Sequence, residues 1–250
     1  MMKEIILAII QAATEFLPIS SDGHLALVSN ILGESDLFFI TFLHIASLLA
    51  VIIFTRREIL EILRFRKESW RLLGFILIGI IPAAIVGLFF SKFIEGTLTS
   101  YFLIGVFFLF TGIVVFSTKF IKTSGNNLNK ENVFVIGLIQ AIALFPGVSR
   151  SGMTISTGLF FGIDKEKTVK FSFLMFIPLA IGAFLLEFMK YPDAITSTPV
   201  LTLIVAFIVC FALSLFFLRA LSYIVKMDKF WIFGIYCLFI SIVSFILYFI

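Results

Sequence analysis

Long apolar runs alternate with short polar connections along almost the whole chain, and the runs come in two lengths. Six of them, residues 36–55, 72–91, 101–118, 171–188, 199–218 and 230–249, approach the roughly 20 residues a helix needs to cross a hydrocarbon core of about 30 Å. Four others, residues 5–17, 25–32, 133–145 and 153–163, are too short to cross. The short runs form two consecutive pairs, each joined by a segment of Ser, Gly and charged residues. A short helix, a polar break and a short helix back describe a re-entrant hairpin. Such a break is tolerated at membrane depth only where protein or a water-filled cavity satisfies the backbone.

Loop charge tests that count. With both pairs returning to the side they came from, one set of connections collects Arg56, Arg57, Arg64, Arg66, Lys67, Arg71, Lys119, Lys122 and Lys130. The same set then takes Lys165, Lys167, Lys170, Arg219, Lys226 and Lys229. The other side receives only Lys3, Lys92 and Lys190, beside Glu34, Asp36, Glu95 and Asp193, and Arg150 is left inside the membrane. The basic side is the cytoplasmic one. A true crossing by either hairpin would destroy this asymmetry. The reading predicts an all-α membrane protein of six transmembrane helices plus two re-entrant hairpins. The first hairpin enters from outside and the second from the cytoplasm, and each is followed by three crossings. Residues 1–118 and 133–250 are then inverted repeats in a single membrane domain, joined by a polar linker at 119–132. Both termini lie outside. In such repeats the binding site falls near the midplane, where the repeats meet.

Composition agrees. The chain is 61% hydrophobic and 14% charged, with a mean hydropathy of +1.17, whereas soluble domains carry about 25% charged residues. The net charge of +4 sits in inter-span loops, where it reports topology and not a nucleic-acid groove. The first apolar run carries Gln11 and Glu15 and lacks a basic n-region, so it is not read as a cleavable signal peptide. Cys210 and Cys237 stand singly in apolar spans, without metal or redox spacing, and are read as packing residues.

The candidate chemistry lies in the two hairpin tips. Gln11 to His24 reads QAATEFLPISSDGH, and Gln140 to Thr154 reads QAIALFPGVSRSGMT. With the two Gln aligned, Ser20 matches Ser149 and Gly23 matches Gly152, and a proline precedes each serine. In the second tip Ser149, Ser151 and the amides around Gly152 can face an anion at a helix start. Arg150 adds a fork suited to phosphate oxygens, and Thr154 follows one turn on. In the first, Ser20, Ser21, Asp22 and His24 start another helix, with Glu15 and Gln11 on one face of the incoming one. A carboxylate near a helix start and an arginine can hold a divalent cation or take a proton. A hydroxyl beside a histidine suggests nucleophile and acid/base. Bland alternatives stand beside each reading. Small residues also pack helices, His24 also caps or packs, and Glu15 also closes an ion pair with Arg150. His44, alone in an apolar span, is read as a buried hydrogen-bonded residue, and Glu187 beside Lys190 as an interfacial one.

At these residues the sequence resembles the bacterial undecaprenyl-diphosphate phosphatases of the bacitracin-resistance type. The match rests on (E/Q)xxxE followed by FLPxSSxGH, here Gln11, Glu15 and FLPISSDGH, and on PGxSRSxxT, here Pro146 to Thr154. The resemblance implies a phosphohydrolase of the inner membrane that releases the terminal phosphate of a C55 isoprenoid diphosphate and returns the carrier lipid to peptidoglycan and envelope glycan synthesis. It assigns Ser21 as the favoured nucleophile, His24 as the catalytic histidine, and Glu15 with Gln11 as the acidic, metal-associated pair. Ser149, Arg150 and Thr154 would hold the diphosphate, at a site open to the outer face. Two positions depart from the family pattern. Gln11 stands where a second carboxylate is common, which weakens a two-carboxylate metal site, and Asp22 stands where Thr is usual and is a further candidate ligand. The expected cofactor is Mg²⁺ or Ca²⁺. The expected partners are the polyprenyl diphosphate, membrane lipid and, as an open alternative to a monomer, a second copy of the chain. A lipid carrier that moves a polyprenyl phosphate without cleaving it is the rival reading, and an inactive structural subunit a third.

Overall fold

The computed structural model describes residues 2–32, 37–64, 67–122, 124–190 and 198–250. Glu34, Asp36, Arg66 and Asp193, and the side chains of Lys67, Glu187 and Lys190, which entered the loop-charge and interface readings, lie outside the described residues. Eleven α-helices account for nearly all of what is described. They are α1 (Met2–Phe16), α2 (Ser21–Leu32), α3 (Leu37–Phe54), α4 (Arg56–Leu63), α5 (Lys67–Thr97), α6 (Tyr101–Ser117), α7 (Lys130–Ile142), α8 (Arg150–Phe160), α9 (Lys165–Lys190), α10 (Val200–Lys226) and α11 (Ile232–Phe249).

Five helices are long and apolar enough to cross a membrane, over Ser69–Thr97, Tyr101–Phe120, Lys165–Leu186, Val200–Lys226 and Ile232–Phe249. The remaining expected span, residues 36–55, is α3, which qualifies together with α4 across a bend of 69°. The four short runs are α1, α2, α7 and α8. Several long helices overrun their expected ends: α5 begins at Lys67 and runs to Thr97, and α10 continues to Lys226. Lys, Glu and Arg are good helix formers, so a polar end stops the apolar run without stopping the helix. α4 was expected as a basic loop. Its sequence, RREILEIL, puts Ile59 and Ile62 against the cluster of Phe75, Val133, Ile136 and Met175, while Arg56, Arg57 and Glu61 stay exposed.

Large apolar side chains cover the outside, among them Leu77, Ile81, Leu88 and Phe89 of α5 and Ile204, Ile208 and Phe216 of α10. The interior is lined by small and weakly polar residues. On α10 the buried positions are Thr202, Ala206, Cys210, Ser214, Leu218, Leu221 and Val225, a stripe of helical period. In lipid, association relies on close packing and interhelical hydrogen bonds, which favour such residues. Ser47 of α3 meets Ser214 at 3.4 Å, and Ser241 and Ser244 of α11 donate to the carbonyls of Gly105 and Tyr101 on α6, each at 2.7 Å. Both cysteines are free and buried, as their setting predicted. The packing pairs α1 with α10 and α7 with α5, α3 with α9, and α6 with α11.

Candidate active site

Each tip is built around a serine that caps the returning helix. Ser20 Oγ accepts the Gly23 N–H at 3.3 Å at the start of α2, and Ser149 Oγ accepts the Gly152 N–H at 3.1 Å at the start of α8. Such a cap satisfies one of the orphan donors of the first turn. The chain reversal differs between the tips. Ser20 itself takes φ +65°, whereas in the second tip Gly147 takes φ +102°. A Cβ at Gly147 would stand 2.7 Å from the Ile104 carbonyl oxygen, so shape and conformation both require glycine there.

The tips then meet. The Gly147 N–H donates to Ser20 Oγ at 3.0 Å, so one serine hydroxyl serves both loops. A Cβ on Gly23 would lie 2.8 Å from Gly147 N and 2.7 Å from the Phe108 ring. Thr111 of α6 fastens the second tip by donating to Gly147 O at 2.8 Å and accepting the Ser149 N–H at 3.1 Å.

Glu15, at the end of α1 and buried, is where the two halves converge. Its Oε2 accepts Ser21 Oγ at 2.6 Å and Gln11 Nε2 at 3.1 Å, and its Oε1 accepts Arg150 Nη2. The Ser21 distance is that of a charge-assisted O–H···O⁻ bond. The Arg150 guanidinium lies 3.9 Å from the centroid of the Phe176 ring, a cation–π contact that holds its plane. Ser21 and Arg150 are the first residues of α2 and α8, so both helix starts end on one carboxylate. The ion pair set down as a bland alternative is present, and the Ser21 bond is present with it.

His44 enters this cluster from α3, which the apolar span around it did not foretell. Its Nδ1–H donates to the Ile40 carbonyl at 2.9 Å, as expected of a lone helical histidine. Its Nε2, however, stands 3.7 Å from Glu15 Oε2 and 3.8 Å from Asp22 Oδ1. His24 points elsewhere. Nδ1 bonds the Ser20 carbonyl and Nε2 the Tyr236 hydroxyl, both at 2.8 Å, and the ring stacks on Tyr236 with its edge toward Phe108. Ser149 and Ser151 face each other at 3.3 Å, and Ser151 Oγ donates to Leu17 O at 3.3 Å. Thr154 Oγ1 donates to Arg150 O at 2.8 Å and meets Ser172 Oγ at 2.6 Å. Thr111, Ser172, Phe176 and Tyr236 had no sequence signal beyond being polar or aromatic in apolar spans.

Among the described residues no three His, Cys, Asp or Glu side chains are arranged to hold a metal ion. The donors nearest to one are the Glu15 and Asp22 carboxylates, on either side of His44 Nε2, and Gln11 Oε1, which is buried with no hydrogen-bond partner. That set of hard oxygens suits a cation that takes part of its shell from substrate phosphates, as Mg²⁺ commonly does.

The family model described as bacitracin resistance protein BacA matches residues 4–243. The chain belongs to this family. It is similar to the undecaprenyl-diphosphatase of Methanococcus vannielii, with 39% identity over 96% of this chain and 98% of the relative. It is 40% identical to that of Thermosipho africanus, covering 98% and 99% of the two chains. A relative of the same name in Bacteroides thetaiotaomicron is 36% identical over 94% of each. The family is thus the one that the two tip motifs resemble.

Proposed function

We infer that the protein is an undecaprenyl-diphosphate phosphatase, releasing inorganic phosphate and undecaprenyl phosphate and so recycling the envelope carrier lipid and giving bacitracin resistance. One observation carries the reading. A serine hydroxyl donates to a buried carboxylate that is itself clamped by an arginine from the other hairpin.

In this reading Ser21 Oγ attacks the terminal phosphorus. The Oγ–P bond forms, the P–O bond to the bridging oxygen breaks, and undecaprenyl phosphate leaves. Glu15, already hydrogen-bonded to Ser21, takes the proton, and His44 beside it can receive that proton in turn. Arg150 spans the distance between Glu15 and incoming phosphate. Its fork then meets the charge that spreads over the transferred oxygens, the dominant demand in phosphoryl transfer. Ser149, Ser151 and the amides at Gly152 complete the cradle. Thr154 supports it from behind, because its hydroxyl is spent on Arg150 O and Ser172. Water then cleaves the Ser21 ester. His24 as nucleophile is the alternative assignment, and a phospho-enzyme trapped on His24 in Ser21→Ala would replace the serine version.

A Mg²⁺ or Ca²⁺ ion would be held by Glu15, Asp22 and Gln11 Oε1 and would offset charge on the leaving monophosphate. The membrane reading extends the fold in the same way. Pairing of α1 with α10 and of α7 with α5, with α3 on α9 and α6 on α11, is the exchange a two-fold between residues 1–118 and 133–250 would produce. This supports two re-entrant hairpins, α1–α2 and α7–α8, in an inverted repeat in the inner membrane. Both termini and the site opening then face outward. Membrane lipid surrounds the chain, and a homodimer is left to solution measurement. The same symmetry is what a lipid carrier would use, but a carrier has no need of the Ser21–Glu15 bond.

The test is phosphate release from undecaprenyl diphosphate by purified protein, with and without EDTA, beside Arg150→Ala. Release abolished by the substitution and reduced by EDTA is expected. A folded wild type that releases nothing with any divalent ion, yet moves labelled polyprenyl phosphate across liposomes, would replace the hydrolase by the carrier.

A further inference from the structure

We propose that the groove between α1, α2 and α11 binds the first isoprene units of the substrate's hydrocarbon chain and makes the enzyme sensitive to chain length. The proposal rests on the phosphatase reading and extends it to how the lipid is held.

The groove encloses about 500 Å³. Its walls are Ile10, Ala13 and Leu17 of α1, Val28 of α2 and Phe233 of α11, and its polar side chains are Thr14, His24 and Tyr236. All three are paired: Thr14 Oγ1 donates to Ile10 O at 2.7 Å, and His24 bonds both Ser20 O and the Tyr236 hydroxyl. A cavity with no open polar partner stays dry and takes hydrocarbon. Phosphate therefore has no place in it.

Its position favours the substrate's own chain over a bulk lipid. Leu17 lines the groove with its side chain, while its carbonyl accepts Ser151 Oγ from the phosphate cradle at 3.3 Å. His24, which also lines it, lies three residues from Ser21 on the same helix, and residues at that spacing share a face. Groove and polar cluster are thus one backbone thickness apart, and a molecule with a diphosphate head and an apolar tail is the ligand that needs both. A cavity of about 150 Å³ holds one benzene ring, or roughly 25 Å³ per carbon. By that measure the groove accepts about 20 carbons, close to four isoprene units, and the rest of an undecaprenyl chain lies in the bilayer. Because the tail arrives from lipid and not from water, its transfer contributes little. The gain comes from packing against a shaped wall, so it should level off once the groove is full.

The experiment measures kcat/KM for phosphate release from geranyl, farnesyl, geranylgeranyl and undecaprenyl diphosphates, on wild type, Ala13→Phe and Val28→Phe. Wild type is expected to improve about tenfold from geranyl to geranylgeranyl and to change less than threefold beyond. Filling the groove with either phenylalanine should remove that gain and leave the geranyl value within twofold. Thermal stabilisation by geranylgeranyl diphosphate, lost in the filled variants, reports the same site without turnover. A wild type that releases no phosphate from any substrate would sink the phosphatase reading, and the thermal shift would still decide the groove. Filled variants that fold and keep the wild-type dependence on chain length, or lose activity equally on all four substrates, overturn the proposal. Unchanged chain-length dependence would give the groove to bulk lipid.

Discussion

Ser20 and Ser149 do the same work at aligned positions, each accepting the N–H of the glycine three residues on and each starting a short helix. The residues that follow them are Ser21, a neutral hydroxyl, and Arg150, a permanent cation. One turn or so before them stand Glu15 in the first hairpin and, in the matching place, Leu144 in the second. Backbone plan is therefore shared while charge is divided. A buried carboxylate without a counter-charge costs several kcal/mol, so neither hairpin is comfortable alone. Each half supplies what the other lacks, and the meeting of the halves is itself the site.

The comparison is broken most severely by Glu15→Gln. It removes the base and leaves Arg150 without its carboxylate, and we expect phosphate release to fall by about 10²–10³, the range seen when one charge-stabilising group is lost. Glu15→Gln combined with Arg150→Met should recover much of the thermal stability and none of the activity, a split read by Tm in detergent beside turnover. Next comes the reversal. Gly147→Ala meets both a positive φ and the Ile104 carbonyl and should cost on the order of 1–3 kcal/mol, lowering Tm and yield. Ser20→Gly relaxes a strained φ while losing the bond to Gly147, so its Tm should move less. The caps are smaller again: Ser149→Ala should cost about 1 kcal/mol, and Ser20→Ala more, because that hydroxyl also serves the other tip. Leu144→Ala, at the place equivalent to Glu15, should change kcat less than twofold. A large loss there would mean that charge is not divided as described.

Much of this plan was legible in the chain. Run lengths distinguished the short helices α1, α2, α7 and α8 from the long ones, because a membrane imposes a minimum length on a crossing helix. The motifs brought Glu15, Ser21 and Arg150 forward because buried polar residues in apolar surroundings need a reason. His44 was not legible as a neighbour of Glu15. Apolar spans exposed to lipid carry weak periodicity, and nothing along α3 says which of its sides faces the hairpins. His24 shows the converse. Its motif pointed to chemistry, but its ring contacts Tyr236, 212 residues away, and no local spacing encodes that. α4 escaped for a third reason: its charges read as a loop, although Ile59 and Ile62 sit at helical spacing.

The hydrogen bond from Gly147 to Ser20 joins residues 127 apart in the chain, and this has a consequence for biogenesis. When the first hairpin emerges, the hydroxyl that will bridge the tips has only its own loop to serve, and Glu15 has no arginine to neutralise it. At elongation rates of about 5–20 residues per second, the partner follows roughly 6–25 s later. For that interval the first hairpin carries a carboxylate that hydrocarbon would reject. It should therefore wait at the membrane surface or in the insertion machinery, and settle to its final depth only when the second arrives.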